Sequence, residues 1–149
     1  MFRKIAIVLG IIALCFAFFQ VNSEASGTDV TVKDGVFIHI SHGYDDPHRV
    51  LMALKMAEIM SEDKDVLLYF DIRGIEVVLK DSMDITHAHF PGSKTQLKKL
   101  IGKGVQILVC PGCLKAAGKE AKDLIDGVKI ANKDDFFTFT KGRILTFDY

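Results

Sequence analysis

The sequence predicts an α/β protein with a mainly parallel sheet and helices on both of its faces. Three observations carry this. Short apolar or β-branched runs alternate along the chain with stretches of helical periodicity, the pattern of parallel strands joined by helical crossovers. Polar loops containing glycine or aspartate follow several of these runs. Two cysteines, Cys110 and Cys113, stand where one run ends and a helical stretch begins, and α/β sheets gather their reactive groups beyond such strand ends.

The elements follow in order. Residues 36–40 are β-branched and apolar and predict the first strand. His39 alternates with core positions there and reads as a hydrogen-bonded histidine near the sheet. After the loop 41–47, Asp46 can cap a helix that has Pro47 at its first position. Val50, Leu51, Leu54, Ala57 and Ile59 then recur at helical spacing to about residue 60. Met52, Met56 and Met60 share that spacing and read as core packing rather than a metal-binding set. Asp45 reads as solvated, and His48, early on the helix, as exposed. Residues 65–70 predict a second strand, 71–74 its loop, and 75–79 the start of a short helix. Residues 81–92 are irregular and contain His87 and His89. Ser93 can cap a helix over 94–101 that Gly102 ends. Lys94, Lys98, Lys99 and Lys103 read as its solvated face, or as a guide for an anionic partner. Residues 105–109 predict a third strand, 113–125 a helix, and 128–131 a fourth strand. Residues 133–140 fit either a short helix capped by Asn132 or a hairpin partner of the final strand, 143–147.

The 149 residues suit one domain with a sizeable core. Nineteen basic residues balance nineteen acidic ones, so nothing suggests a nucleic-acid binder. Residues 1–25 stand apart. Arg3 and Lys4 precede a charge-free apolar run over residues 5–19, and polar and small residues follow. This is the layout of a secretory signal peptide, and the run is short for a membrane span of about 20 residues. Cleavage after Ala25 is the first choice and after Ser23 the second; an uncleaved anchor is the alternative. The expected location is therefore the periplasm, free of stable membrane association, or the membrane if the anchor stays. Residues 26–34 form a flexible lead-in, and 35–149 the folded domain. Cleavage would remove Cys15 and leave Cys110 and Cys113, with 17 basic and 18 acidic residues.

Three chemistries compete for the cysteine turn. A helix start offers unpaired N–H groups and a positive dipole end, which favour a thiolate at Cys110. Lys115 adds positive charge nearby. The first reading is sulfur transfer by that thiolate, with His42 of the neighbouring loop as proton shuttle or hydrogen-bond donor. The second is dithiol redox chemistry, since Cys110-Pro111-Gly112-Cys113 has the two-residue spacing that can close a disulfide. The third is a soft-metal site made by Cys110, Cys113, His87 and His89. An inert buried cysteine is the bland alternative to all three. No phosphate-binding glycine loop, serine triad or acid–base carboxylate pair stands out, and the reading calls for no cofactor and no resident metal.

Three segments together resemble the DsrE/YchN-like family of sulfur-relay proteins. They are the first strand followed by Ser41-His42-Gly43-Tyr44-Asp45-Asp46-Pro47-His48-Arg49, the second strand with its loop to Gly74, and Val109-Cys110 with Gly118 eight residues later. The likeness spans residues 35–147. It implies a three-layer α/β/α fold with a five-stranded parallel sheet, and assembly into trimers or hexamers. It also implies that Cys110 carries sulfur as a persulfide between a donor and an acceptor protein. Cys113 falls where only some members have cysteine and would be a modulator or resolving partner. The signal peptide is a departure from the family's cytoplasmic relay members.

Overall fold

The computed structural model describes residues 32–149. The signal peptide or anchor assigned to residues 1–25, and most of the 26–34 lead-in, lie outside the described residues. The elements are β1 (Gly35–Ile40), α1 (Pro47–Met60), β2 (Asp65–Phe70), a 3-10 turn (Gly74–Val78), α2 (Ser93–Gly102), β3 (Gln106–Val109), α3 (Pro111–Ala116), a second 3-10 turn (Ala121–Asp123), β4 (Val128–Ile130), α4 (Asp135–Thr138) and β5 (Ile144–Asp148). The five strands form one sheet in the order β4-β3-β2-β1-β5, with every pairing parallel.

That order fixes the layers. The crossovers from β1 to β2, β2 to β3 and β3 to β4 all step the same way. Parallel crossovers are right-handed, so α1, α2 and α3 share one face. The connection from β4 to β5 runs back past three strands, and the same rule drops it on the opposite face. The three layers are therefore unequal. One face carries three helices, and the other carries the four residues of α4.

The core lies on the heavily covered face. Val36, Ile38, Ile40, Leu68, Phe70, Ile107 and Val109 form one cluster with Val50, Leu54, Leu97, Leu100 and Leu114 from the helices. Each fully buried Leu or Ile contributes about 1.5–3 kcal/mol, so most of the fold's stability lies here. Strand side chains alternate between faces. Phe37, His39, Leu67, Tyr69 and Leu108 accordingly point to the thinly covered face, where the Phe136 ring of α4 packs on Phe37 and Tyr69.

Several local expectations change. The helix expected over residues 113–125 ends at Ala116. Gly118 adopts a left-handed φ of 68°, the usual helix stop, and a 3-10 turn carries the chain to β4. Residues 133–140 form the short helix, with the Asn132 side chain accepting from the Asp134 and Asp135 N–H groups. The hairpin alternative fails because β5 pairs parallel with β1. Ser93 is the first residue of α2, not its cap. It is buried, and Asp84 accepts from Lys94 N–H in its place at 2.8 Å. Asp46 does cap α1, accepting from Arg49 N–H. Met52 and Ile59 are exposed at 40% and 48%, because the core-facing stripe of α1 runs through Val50, Leu51, Ala53, Leu54 and Ala57. Met56 and Met60 pack on the core's margin.

Candidate functional site

Strand alternation selects the site. In parallel register, Asp148, His39, Tyr69 and Leu108 form one row across β5, β1, β2 and β3. Two residues further along β2 and β3 come Asp71 and Cys110, on the same face. The Cys110 N–H donates to Phe70 O at 2.8 Å, so Cys110 stays in the sheet's register to its last hydrogen bond. The thinly covered face and the carboxyl edge thus meet at one cluster: His39, Tyr69, Asp71, Cys110 and Asp148.

Cys110 is half-buried and unpaired. It also caps α3, its Sγ accepting from the Cys113 N–H at 3.4 Å. Burial pushes its thiol up. Hydrogen bonds from the Tyr69 hydroxyl, the Cys113 N–H, the Cys113 thiol and the Gly112 N–H outweigh that cost and hold it below the ordinary thiol value. Burial raises the Tyr69 hydroxyl far above an ordinary phenol, and the neighbouring Cys110 and Asp71 raise it further. Tyr69 thus keeps its proton and can donate it to the sulfur beside it. Cys113 is pushed up, first by burial, then by Cys110 and Asp71, against a lowering bond from the Ile72 N–H. The pair is split: Cys110 is the readier thiolate and Cys113 the retained thiol.

The expected helix dipole contributes less than its length would have allowed, since α3 has only six residues. Specific donors do that work instead. Lys115 is exposed.

The loop after β2 is pinned over the end of β1. Arg73 N–H and Gly74 N–H both donate to Ser41 O, and Asp71 N–H donates to Ile40 O. Gly74 lies so close that a Cβ there would sit 2.1 Å from Ile40 O. Within this loop Ile72 is held at φ 44°, a left-handed conformation that β-branched residues avoid. Its N–H donates to Cys113 Sγ at 3.2 Å.

Beside Tyr69, the His39 imidazole stacks on the phenol ring with centroids 5.8 Å apart. Its two nitrogens approach Asp71 Oδ1 and Asp148 Oδ1, each at 2.8 Å. The Asp71 contact is off the N–H axis and does not satisfy either atom's hydrogen bond, so it is an electrostatic contact. His39 lies at the sheet as its alternation predicts, but neither ring nitrogen completes a hydrogen bond, so the reading of it as a hydrogen-bonded histidine does not hold. It and Tyr69 are candidate site residues that sequence reasoning missed.

His42 sits on the adjoining loop, where Nδ1 meets Asp45 Oδ2 at 2.8 Å. Asp45 is more than solvated. It accepts from Gly43 N–H and His42 and faces Arg73, and these hold its carboxyl at about 2. His87 and His89 are exposed and stack on His48 and Phe90. His48 is itself exposed. Among the described residues no group of three or more His, Cys, Asp or Glu is arranged to hold a metal, so the Cys110, Cys113, His87, His89 set does not assemble. Of the lysine face of α2, Lys99 pairs with Glu58.

Known proteins share this architecture. The solved structure of YchN from E. coli matches with a TM-score of 0.57 at 20% identity, covering 77% of this chain and 99% of that one. The structure of MTH1491, a protein of unknown function from Methanobacterium thermoautotrophicum, matches with a TM-score of 0.56 at 22% identity, covering 78% and 99%. At these identities the likeness establishes the fold. The uncharacterized protein MJ0989 of Methanocaldococcus jannaschii is 30% identical over 102 residues, or 66% of this chain and 87% of that protein. The family model of the DsrE/DsrF-like family matches residues 34–147, which includes every residue of the site but Asp148, and the chain therefore belongs to the DsrE/DsrF-like family.

Proposed function

We propose that the protein is a sulfur carrier that holds sulfane sulfur as a persulfide on Cys110. The observation that carries this is the place of Cys110: an unpaired, half-buried sulfur at the carboxyl edge of the sheet, at the start of α3, that accepts from the Cys113 N–H. In the first step the Cys110 thiolate attacks the sulfane sulfur of a donor persulfide or polysulfide. A sulfur–sulfur bond forms at Cys110, and the donor leaves as a thiolate. In the second step an acceptor thiolate attacks the outer sulfur, and the Cys110 thiolate leaves. A lower leaving-group pKa speeds that departure, so the hydrogen bonds that lower the Cys110 thiol serve both steps.

The reading extends to partners and place. Residues 1–25 support export to the periplasm, with membrane attachment if they are retained. Phe137, Leu145 and Ile144, exposed at 71%, 53% and 49%, make the α4–β5 side suited to a second copy of the chain in a trimer or hexamer. The donor and acceptor are proteins or small molecules bearing sulfane sulfur or a thiol.

Intact mass measured after exposure to inorganic polysulfide tests the carrier role. A gain of about 32 Da that reductant removes, present in Cys113→Ser and absent in Cys110→Ser, is expected. A gain that survives in Cys110→Ser, or no gain in either variant, would count against it.

A further inference from the structure

We infer that Cys113 ends the carrier cycle on the protein itself: it attacks the Cys110 persulfide, expels the outer sulfur as sulfide, and leaves a Cys110–Cys113 disulfide. This rests on the carrier reading and assigns that site a second activity, sulfide release.

Two observations point to it independently. The first is placement. Cys113 lies three residues from Cys110 at the same helix start, and its N–H donates to Cys110 Sγ at 3.4 Å. An acceptor from solution must reach the outer sulfur, whereas Cys113 lies against the inner one. The second is Ile72. A β-branched residue at φ 44° is strained, and its side chain gains no burial in return, being 63% exposed. What the conformation does achieve is to aim a backbone N–H at Cys113 Sγ, 3.2 Å away. The pinned 71–74 loop keeps it there. A donor fixed on a sulfur favours negative charge on that sulfur, which a bystander thiol does not need and an attacking thiol does.

Loading Cys110 changes what Cys113 faces. While Cys110 is a thiolate, its charge opposes ionisation of Cys113. Once Cys110 carries a second sulfur, the inner sulfur is no longer a thiolate, and the Ile72 N–H acts on Cys113 with less opposition. Cys113 then attacks the inner sulfur and its proton passes to the outer one. The Cys110–Cys113 bond forms, the persulfide bond breaks, and HS⁻ departs. The sulfane sulfur is reduced to sulfide, and the two cysteine sulfurs are oxidised to a disulfide. A dithiol reductant resets the pair.

The test begins with brief loading of the purified, reduced protein by inorganic polysulfide on ice at neutral pH and rapid removal of the donor by desalting. Sulfide release at neutral pH is then followed with monobromobimane alongside intact mass. Wild type is expected to release one sulfide per loaded site, moving from about 32 Da above the reduced mass to about 2 Da below it. The rate should not depend on protein concentration. Cys113→Ser, and Cys113→Ala should the first variant fold poorly, are expected to keep the extra sulfur and release sulfide roughly 100-fold more slowly or less. A wild type that keeps its sulfur as long as Cys113→Ser would overturn sulfide release and leave the carrier reading standing. Failure of Cys113→Ser and Cys113→Ala to load at all would overturn both. Release that scales with protein concentration would assign it to a second molecule and overturn the intramolecular step.

Discussion

The two faces of the sheet divide the protein's tasks. One face, under α1, α2 and α3, holds the contiguous apolar core. The other has a four-residue helix over Phe37 and Tyr69 and carries His39, Tyr69 and Cys110. Neighbouring residues on one strand belong to different worlds: Phe70 is fully buried in the core, while Tyr69 lies on the face that ends at Cys110. The lesson is that a right-handed crossover rule, applied to a strand order with a single reversal, both builds the core and leaves a sheet face open for chemistry.

The largest separation of the faces should come from Cys110→Ser. It is expected to abolish reductant-sensitive sulfur loading and rapid native-state alkylation, while the urea midpoint moves little. A large loss of stability would mean that Cys110 is a packing residue. Next comes the contrast between Leu54→Ala and Phe136→Ala. Leu54 is fully buried, and its truncation should cost about 2–5 kcal/mol in urea unfolding. Phe136 is half-buried on the thin layer and should cost less than half as much. Comparable costs would show that the second face is a core in its own right.

Tyr69→Phe sharpens the comparison within one side chain. It keeps the ring on Phe136 and His39 and removes the hydroxyl. A hydrogen bond to a charged group is worth about 1.5–3 kcal/mol, so the alkylation midpoint of Cys110 should rise by about one pH unit or more. Unchanged reactivity would remove Tyr69 from the site. The smallest effect concerns the loop beside it. The Asp45 carboxyl is lowered from 3.8 to about 2, chiefly by the Gly43 N–H and His42. A group depressed in the folded state stabilises above its unfolded pKa and loses that contribution as pH falls through the folded one. Wild type should therefore lose stability between about pH 4 and pH 2 more steeply than Asp45→Asn. Equal slopes would mean that the Asp45 contacts do not persist in solution.

Much of this was legible in the chain. The five strands and the cap-and-proline start of α1 follow from local pattern, and the cysteine pair marks the site without any fold. The partners of Cys110 were hidden because they are written as strand residues. Residues 65–70 form a nearly continuous apolar run, and a run buried on both sides shows no alternation to sort Tyr69 from Phe70. A usable signal was parity: His39, Asp71 and Cys110 stand at or just beyond the carboxyl ends of three adjacent strands. The length of α3 was misread because Gly118 lies inside an otherwise helix-compatible stretch. Its position three residues after Lys115 matches a helix stop as well as a tolerated interior glycine. The left-handed backbone of Ile72 has no sequence signature, since its N–H partner, Cys113 Sγ, lies 41 residues away along the chain.

The division of labour between the two cysteines is the centre of the account. Native-state alkylation with limiting iodoacetamide, followed across pH and mapped by peptide mass, tests it most directly. Modification should fall on Cys110 first, with a midpoint below the ordinary thiol value of about 8.5, while Cys113 stays largely unmodified. Modification of Cys113 first, or a Cys110 midpoint at or above that value, would contradict it.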